Sequence, residues 1–215
     1  HGLSTAWHLA AKLKAKGIYE NTIIYFLSDN GGRLKGDSDN GQLRGKKGDL
    51  FEGGIRVPFL MQWPNEIEGG QVFDKPVISL DIFATLKAIT SPNVKSKNEL
   101  HGVSLIPFIK GDNKKDPHDY LFWRNNLMQN DPNLRVQGSA IRSGDYKFIN
   151  NKQVNALYNL KKELSETSNL KKNNKIYDSL INKFQIWNAS LRDPIFLGLM
   201  ANDQYNKLNP DRFEY

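Results

Sequence analysis

An unbroken apolar run, TIIYFL at residues 22–27, stops abruptly at the polar sequence SDNGG. Because the run is rich in β-branched and aromatic residues, it predicts a strand buried on both faces, as in a parallel or mixed sheet covered by helices. Residues 3–16 have apolar side chains at three- and four-residue spacing, which predicts an amphipathic helix ending at Gly17. Helix, buried strand and polar turn together indicate an α/β fold.

The pattern changes near residue 115. Before it, residues 57–64 form a second apolar run, which predicts a core strand, and residues 79–90 carry a helical apolar stripe. After it come short strand-like runs and one helical pattern, at residues 120–123, 139–142, 146–149, 156–160 and 176–191. We therefore predict that residues 1–115 belong to a large α/β domain and that residues 116–215 form a small antiparallel α+β subdomain with a tail.

Charge and composition narrow the classes of partner. Lys and Arg number 30 against 23 Asp and Glu, a net charge of +7, which favours anionic partners or reflects an ordinary solvated surface. The basic residues are not interleaved with aromatics at a motif spacing, so nucleic acid is not a predicted partner. No stretch approaches the roughly 18 apolar residues of a membrane span. The absence of cysteine excludes disulfides, thiolate metal sites and a cysteine nucleophile within these residues.

The polar turn after the first strand carries candidate metal ligands. Asp29 and Asn30 stand at the carboxyl end of the strand, where open α/β sheets bind their ligands. Carboxylate and amide oxygens suit Ca²⁺, or alternatively Mg²⁺, better than Zn²⁺. Calcium takes about six to eight oxygens, so further ligands must come from elsewhere. The same letters, DNGG, are also typical of a simple turn.

A glycine-rich basic segment follows, LRGKKGDLFEGGIRVP at residues 43–58. A lysine between glycines can approach an anion closely because the glycines allow tight turns, and its ammonium would neutralise charge on a bound sulfate. The alternative is a flexible basic loop. Arg44 could steer anions or brace the loop by pairing with Asp49 or Glu52, and Arg56 is predicted to form a structural ion pair.

Five ordered landmarks in this chain resemble the formylglycine-dependent, or type I, sulfatases. The resemblance extends from about residue 12 to residue 191. It implies an alkaline-phosphatase-like fold, a mixed sheet flanked by helices of which this chain would be part, and hydrolysis of carbohydrate or aryl sulfate esters. The landmarks are NTII to SDNGG at 21–32, LRGKKG to GIRVP at 43–58, SLDIFATL at 79–86, HGVSL at 101–105, and AIRSGDYK with LYNL to ETSNL at 140–170.

The resemblance also implies roles for particular residues. Asp29 and Asn30 match an Asp-Asn pair that holds calcium together with two Asp residues from the N-terminal half of the family's proteins. Lys47, directly before a glycine, matches the sulfate-binding lysine, whereas Lys46 is one place off the pattern and is predicted to lie on the surface. The nucleophile would be a formylglycine made from Cys or Ser in a Cys/Ser-x-Pro-x-Arg motif, with calcium and cationic side chains stabilising the sulfate oxygens.

The chain departs from the family at its nucleophile. No Cys/Ser-x-Pro-x-Arg motif occurs in the 215 residues, and neither His1 nor His8 is predicted to be catalytic. We therefore expect the chain to be the C-terminal half of a longer protein whose N-terminal half carries the formylglycine and the remaining calcium ligands. We expect the isolated 215 residues to be inactive. The resemblance also implies a periplasmic or secreted location.

Two other functions stay open at this point. One is a phosphate- or phosphonate-ester hydrolase of the same superfamily. The other is a non-catalytic module that binds sulfated polysaccharide or oligosaccharide, with an affinity that falls steeply with salt and needs no calcium. His118, Trp123 and Arg135 are candidate contacts to a sulfated sugar through charge and stacking, with packing and solvation as the alternative.

Overall fold

The structure is a computed structural model that describes residues 2–33, 38–125, 138–151, 154–170, 175–192 and 207. Internal contacts group the chain into two compact units. Unit 1 comprises residues 1–29 and 57–119, and unit 2 comprises residues 30–56 and 120–215. The chain passes from one unit to the other at 29/30, 56/57 and 119/120, and the domain division at residue 115 stays a prediction. The sequence pattern does not foresee that residues 30–56 pack with the C-terminal residues.

Unit 1 contains the predicted helices and apolar strands. Strands β1 and β2 pair antiparallel, with Ile24 opposite Gln62 and Leu27 opposite Phe59. The first helix ends as predicted at Gly17, whose φ of 68° lies in the left-handed region that glycine adopts without strain. The elements of unit 1 are α1 (Gly2–Ala15), β1 (Ile24–Leu27), β2 (Phe59–Gln62), α3 (Leu80–Thr90) and α4 (Ile106–Ile109).

The prediction that the first strand is buried on both faces is wrong for the described chain. Ile24, Tyr25 and Phe26 are half-buried, and Leu27 is 36% exposed. Within the described residues β1 pairs only with β2, so its other edge has no neighbouring strand. An apolar run makes a strand suitable for burial, but the burial itself requires elements that cover both faces.

Unit 1 leaves many large apolar side chains in contact with solvent. Among its described residues, Ala84, Leu105 and Pro117 are the only buried apolar ones. Extensive exposed apolar surface is unusual in a soluble protein and is typical of surfaces that contact further protein. The exposed large apolar residues of unit 1 are Trp7, Leu9, Ile18, Leu27, Leu60, Val72, Phe73, Leu80, Phe83, Leu86, Val94 and Leu100.

Unit 2 is built on a four-stranded antiparallel sheet with strand order β3-β4-β5-β6, which confirms the predicted antiparallel strands. Gly144, with φ of 53°, lies in the tight turn between β4 and β5. The elements of unit 2 are α2 (Glu52–Ile55), β3 (Leu121–Asn125), β4 (Gly138–Ser143), β5 (Tyr146–Asn151), β6 (Asn155–Asn159) and α5 (Lys175–Ser190).

Both faces of this sheet are covered by other parts of unit 2. Alternate residues of each strand point to opposite sides and pack against different groups. Ile141, Phe148 and Leu157 pack against Leu180 of α5 on one face. On the other face, Ala140, Ile149, Ala156, Tyr158 and Leu160 pack against Leu50 and Phe51. The segment after the SDNGG turn therefore forms part of the core of the small sheet. Within the described residues, no helix has both the length and the apolarity needed to cross a bilayer.

Candidate functional site

The segment around Lys47 forms an ordered turn within unit 2. We call residues 43–54 the Lys47 loop. The backbone N–H of Lys47 donates to the carbonyl oxygen of Gly32 at 2.9 Å, and Asp49 N–H donates to Lys46 O at 2.9 Å. The Asp49 carboxylate in turn accepts the N–H of Lys46 at 3.0 Å. These bonds fix the backbone on both sides of Lys47, so the flexible-loop alternative does not describe it.

The side chain of Asn40 joins this turn to the glycines after Asn30. Its Oδ1 accepts the N–H of Gly32 at 2.8 Å, and its Nδ2 donates to the carbonyl oxygen of Gly45 at 2.9 Å. A single amide thus satisfies a donor on one segment and an acceptor on the other. The two segments are held in register by a side chain that the sequence patterns do not single out.

Two glycines are required here because backbone segments approach each other closely. A Cβ at Gly31 would lie 1.7 Å from the carbonyl oxygen of Gly53. A Cβ at Gly54 would lie 2.2 Å from the carbonyl oxygen of Asp49 and 2.6 Å from that of Lys46. The glycines of the two motifs therefore pack against each other and against the Lys47 turn, which explains their place in the sequence.

Three ionisable side chains meet beneath the Lys47 loop in the core of unit 2. Lys147 of β5 and Glu166 are 0% exposed, and Glu52 of α2 is 1% exposed. The Lys147 ammonium donates to Glu52 Oε1 at 2.8 Å and lies 2.9 Å from Glu166 Oε1. Charges this deeply buried are stable only when they are paired. We call these three residues the buried charge cluster.

Glu166 makes one further side-chain contact with the Lys47 loop. Its Oε2 accepts the backbone N–H of Glu52 at 2.6 Å. Its φ of 50° places a non-glycine residue in the left-handed region, a strain of about 1–3 kcal/mol that persists only where surrounding contacts hold it. Burial raises the pKa of Glu166 above its ordinary value, and the Lys147 ammonium opposes this shift.

Two arginines complete the charge around Glu52. Arg142 and Arg56 each place a guanidinium nitrogen 3.6 Å from Glu52 Oε2. Arg142 lies directly opposite Lys147 in the pairing of β4 with β5, so both side chains share the face that meets the loop. The ion pair predicted for Arg56 is present, and Glu52 is its partner.

Arg44 is engaged in bracing contacts. Its guanidinium donates to the carbonyl oxygen of Glu166 at 2.6 Å and lies 4.0 Å from the centre of the Phe51 ring. These contacts favour the bracing alternative, although the partners are not the carboxylates of Asp49 or Glu52. A role for Arg44 in binding substrate stays a prediction.

Asp29 and Asn30 have the donor chemistry that calcium prefers, but they supply few of its ligands. Asp29 is exposed and Asn30 is half-buried. Among the described residues, no group of three or more His, Cys, Asp and Glu side chains is arranged to hold a metal ion. Two oxygens are fewer than the six to eight of a calcium site, so these residues fit a partial ligand set.

The three candidate sugar contacts differ in their surroundings. His118 is nearly buried in unit 1, where its Nε2 lies 2.9 Å from both carboxylate oxygens of the buried Asp81. Trp123 is half-buried in unit 2 and packs against the cluster that contains Leu50 and Phe51. His118 thus contacts a buried carboxylate and Trp123 packs in the core, and a role for either residue in binding sugar stays a prediction. Arg135 lies outside the described residues.

No sequence pattern groups Lys147, Glu52 and Glu166. Lys147 lies two residues before Ile149 in the same strand, so both side chains point to the same buried face. A lysine at such a position requires a buried anionic partner. Nothing local indicates which carboxylate that partner is, because Glu52 lies 95 residues away.

Comparison with known proteins decides the family. The family model described as N-sulphoglucosamine sulphohydrolase, C-terminal, matches residues 46–193. The chain belongs to this sulfatase family. The matched span of the sulfatase chain includes Lys47, the buried charge cluster and the whole four-stranded sheet. The resemblance to sulfatases inferred from the motifs is thereby confirmed.

Individual relatives agree with this assignment. Steryl-sulfatase of Mus musculus is 33% identical over 120 residues, which are 52% of this chain and 19% of the mouse protein. A sulfatase of Formosa agariphila is 33% identical over 166 residues, 73% of this chain and 30% of that protein. The sulfatase chain thus spans less than a third of the length of these curated relatives.

Solved structures show the same architecture. Ps i-CgsB in complex with k-i-k-neocarrahexaose superposes with a TM-score of 0.77 at 28% identity, covering 95% of this chain and 45% of that one. PsFucS1 sulfatase from Pseudoalteromonas sp. superposes with a TM-score of 0.66 at 24% identity, covering 85% of this chain and 40% of that one. The chain therefore has part of the alkaline-phosphatase-like α/β fold of the sulfatases.

Proposed function

We propose that this chain is the C-terminal part of a sulfuric ester hydrolase that acts on a carbohydrate or aryl sulfate. The observation that carries the proposal is the sulfatase family match across residues 46–193, which includes a lysine held in a tight turn. Glycines packed against that turn fix its backbone, and such fixing suits a group that must meet an anion in one geometry.

Lys47 is the proposed substrate-binding and catalytic cation. Its side chain is half-buried, and its amine has no ion-pair or hydrogen-bond partner among the residues that the structure describes. An ammonium without a carboxylate partner keeps its full attraction for an incoming anion, and partial burial strengthens that attraction. Lys147, by contrast, is neutralised by two carboxylates and has no capacity left for substrate.

Asp29 and Asn30 are the proposed contribution of this chain to a Ca²⁺ site, with Mg²⁺ as the alternative. Bound calcium would polarise the sulfate oxygens. The nucleophile in this proposal is a formylglycine in a preceding N-terminal half of the same protein. The isolated 215 residues are accordingly proposed to be inactive.

The same N-terminal half is the proposed partner of unit 1. The exposed large apolar side chains of α1, β2 and α3, among them Trp7, Leu60 and Phe83, support this because a protein that works in water must cover such residues. Burying one of them stabilises the assembly by about 1.5–3 kcal/mol.

A sulfated saccharide is the proposed substrate class. The likeness to Ps i-CgsB, which was solved with k-i-k-neocarrahexaose, supports a saccharide, and the net charge of +7 suits an anionic one. A periplasmic or secreted location is proposed with it. Fractionation of the source cells, followed by immunodetection with an antibody to this chain, tests the location.

The decisive experiment compares Lys47→Met with Lys46→Met in the protein expressed at its full native length. Formylglycine content is first measured by peptide mass so that both variants are compared at equal nucleophile. Because Lys47 is proposed to contact the transferring sulfate, Lys47→Met lowers kcat/KM for a sulfate ester by about 10²–10³. Lys46 is exposed, and its loss changes kcat/KM less than about threefold.

Equal activity of the two variants would remove Lys47 from the mechanism. Hydrolysis of a phosphate ester in preference to the matching sulfate ester would assign the protein to the neighbouring phosphate-ester class. Salt-sensitive glycan binding without turnover at full native length would favour the binding-module alternative.

A further inference from the structure

We infer that the buried charge cluster of Lys147, Glu52 and Glu166 is a positioning device for Lys47, anchoring the loop that carries it to the small sheet. This inference rests on the proposed role of Lys47. None of the three residues is proposed to contact substrate. Their effect on the reaction is exerted through the placement of the Lys47 loop.

Backbone contacts link α2 to the Lys47 turn. Gly53 N–H donates to the carbonyl oxygen of Arg44 at 2.7 Å, and Gly31 N–H donates to that of Gly54 at 3.1 Å. A Cβ at Gly54 would lie within 2.6 Å of the carbonyl oxygens of Lys46 and Asp49, so the backbone of α2 lies close against the turn. A displacement of α2 would therefore carry the turn with it, so the position of α2 sets the position of Lys47.

The short helix α2 cannot hold this position by itself. It has four residues, far fewer than the roughly 12–15 at which a helix becomes marginally stable by itself. Phe51, at its N-cap, provides no side-chain hydrogen bond to the first turn, and the N–H of Glu52, as the first residue of the helix, has no acceptor within the helix itself. Glu166 supplies that acceptor from 114 residues away, at 2.6 Å.

On the side of the sheet, the contact is made by Lys147. Lys147 lies within β5, paired to Arg142 of β4 on one side and to Tyr158 of β6 on the other. A side chain rooted between two paired strands moves little. The Lys147 ammonium therefore links the Glu52 carboxylate, at 2.8 Å, to an inner strand of the four-stranded sheet.

The chemistry of the cluster also favours positioning over simple stabilisation. Burying charged groups costs desolvation energy, and apolar residues of similar volume often give equal or greater stability at such sites. Charge-assisted hydrogen bonds, unlike apolar contacts, impose a fixed distance and direction. A buried cluster at this place therefore fixes the position and orientation of the loop.

The test is hydrogen exchange by mass spectrometry on the full-length protein, comparing peptides from residues 43–54 with peptides from residues 138–151. Two variants remove the anchor: Lys147→Met, and Glu166→Gln, which keeps an acceptor for Glu52 N–H but removes one charge. Lys75→Met is the matched control, because it breaks an ion pair with Asp116 in unit 1 whose side chains are 49% and 36% exposed.

We expect the loop amides of Lys147→Met and Glu166→Gln to exchange about tenfold faster or more, while the sheet amides change much less. The kcat/KM for a sulfate ester falls about tenfold in the same variants, and Lys75→Met changes neither quantity. Loop amides that keep their exchange rate relative to the sheet overturn the inference, whatever the activity. Activity of Lys47→Met equal to that of the parent overturns the proposed role of Lys47 instead, and the exchange data still report whether the anchor holds the loop.

A measurement on the unaltered protein covers the case in which the variants do not fold. Exchange is followed as urea is raised towards the unfolding midpoint. If the cluster anchors the loop, the peptides from residues 43–54 and 138–151 open together with the same dependence on urea. Separate opening of the loop at much lower urea would overturn the inference without any substitution.

Discussion

The guanidinium of Arg44 donates a 2.6 Å hydrogen bond to the carbonyl oxygen of Glu166, a residue 122 positions later in the chain. It also lies over the Phe51 ring at 4.0 Å. One side chain thus connects the start of the Lys47 loop to the segment that follows β6. The two alternatives left open for Arg44, bracing and anion steering, make opposite predictions about a lysine at this position.

Arg44→Lys keeps the positive charge but loses the planar guanidinium that both stacks and donates. Because the contacts are of the bracing kind, we expect this variant to be less stable than the parent protein by about 1–3 kcal/mol. Urea unfolding followed by circular dichroism measures the difference. The control is Arg33→Lys, at an exposed position of the same segment. Unchanged stability of Arg44→Lys, together with a raised KM in Arg44→Met, would instead favour anion steering.

The close approach of glycines predicts a steric effect at Gly31 and Gly54. Alanine at either position puts a Cβ within 2.2 Å of a carbonyl oxygen, so the backbone of the Lys47 loop must shift. We expect each variant to lose about 1–3 kcal/mol of unfolding free energy and to lower kcat/KM. Thermal unfolding and sulfate ester hydrolysis provide the two measurements.

Gly69→Ala is the matched control for these glycine variants. Nothing lies within 4 Å of a Cβ at Gly69, and its φ is not positive. We expect a stability within about 0.5 kcal/mol of the parent. A loss as large as that of Gly31→Ala would mean that the close contacts in the loop are not the cause.

Calcium binding at Asp29 predicts a metal-dependent stability. In the full-length protein, calcium at about 100 times its Kd stabilises the folded state by about 2.7 kcal/mol. Asp29→Ala removes a charged ligand and should raise the Kd, so that the shift in melting temperature on adding calcium shrinks. Asp74→Ala, which removes an exposed carboxylate elsewhere in unit 1, serves as control. An identical calcium response in both variants would exclude Asp29 as a ligand.

The carboxylate of Glu163 predicts a pH effect at a turn of unit 2. It accepts hydrogen bonds from the side chains of Thr167 and Ser165 and from the backbone N–H of Ser168, and these lower its pKa to about 2. Because the folded pKa lies below the ordinary glutamate pKa of 4.5, the contribution of Glu163 to stability is fully present above pH 4.5. It is lost as the pH falls through about 2.

A carboxyl titration by NMR should therefore give a midpoint near pH 2 for Glu163. Glu163→Gln should lack the corresponding loss of stability in acid, whereas Glu68→Gln, at an exposed position of unit 1, should behave like the parent. A Glu163 midpoint at the ordinary glutamate value would show that the turn does not hold its carboxylate in solution.

Local pattern predicted much of the fold and the family motifs. The helices at 3–16 and 79–90, the strand at 57–64 and the antiparallel strands after residue 120 appear close to their expected bounds. Periodicity carries this information because each element depends on residues near one another in the chain. The choice of Lys47 as the candidate sulfate-binding residue came from the resemblance of the LRGKKG motif at residues 43–48 to the sulfatases.

Tertiary structure alone decided the surroundings of that lysine. The sequence placed residues 30–56 with the large domain, whereas the loop packs on the small sheet through Leu50, Phe51 and Glu52. His118 pairs with Asp81, and Arg44 with Glu166, across separations of 37 and 122 residues. A spacing pattern cannot encode such partners, because any of several carboxylates or carbonyls would satisfy the same donor.

What the sequence determined by itself is therefore a set of elements, a family and a short list of candidate residues. Only the folded chain decided that Lys147, Glu52 and Glu166 converge beneath the Lys47 loop, and that the first apolar strand is partly exposed. The physical reason is the same in both cases. Burial and ion pairing are properties of what covers a residue, and the covering groups come from distant parts of the chain.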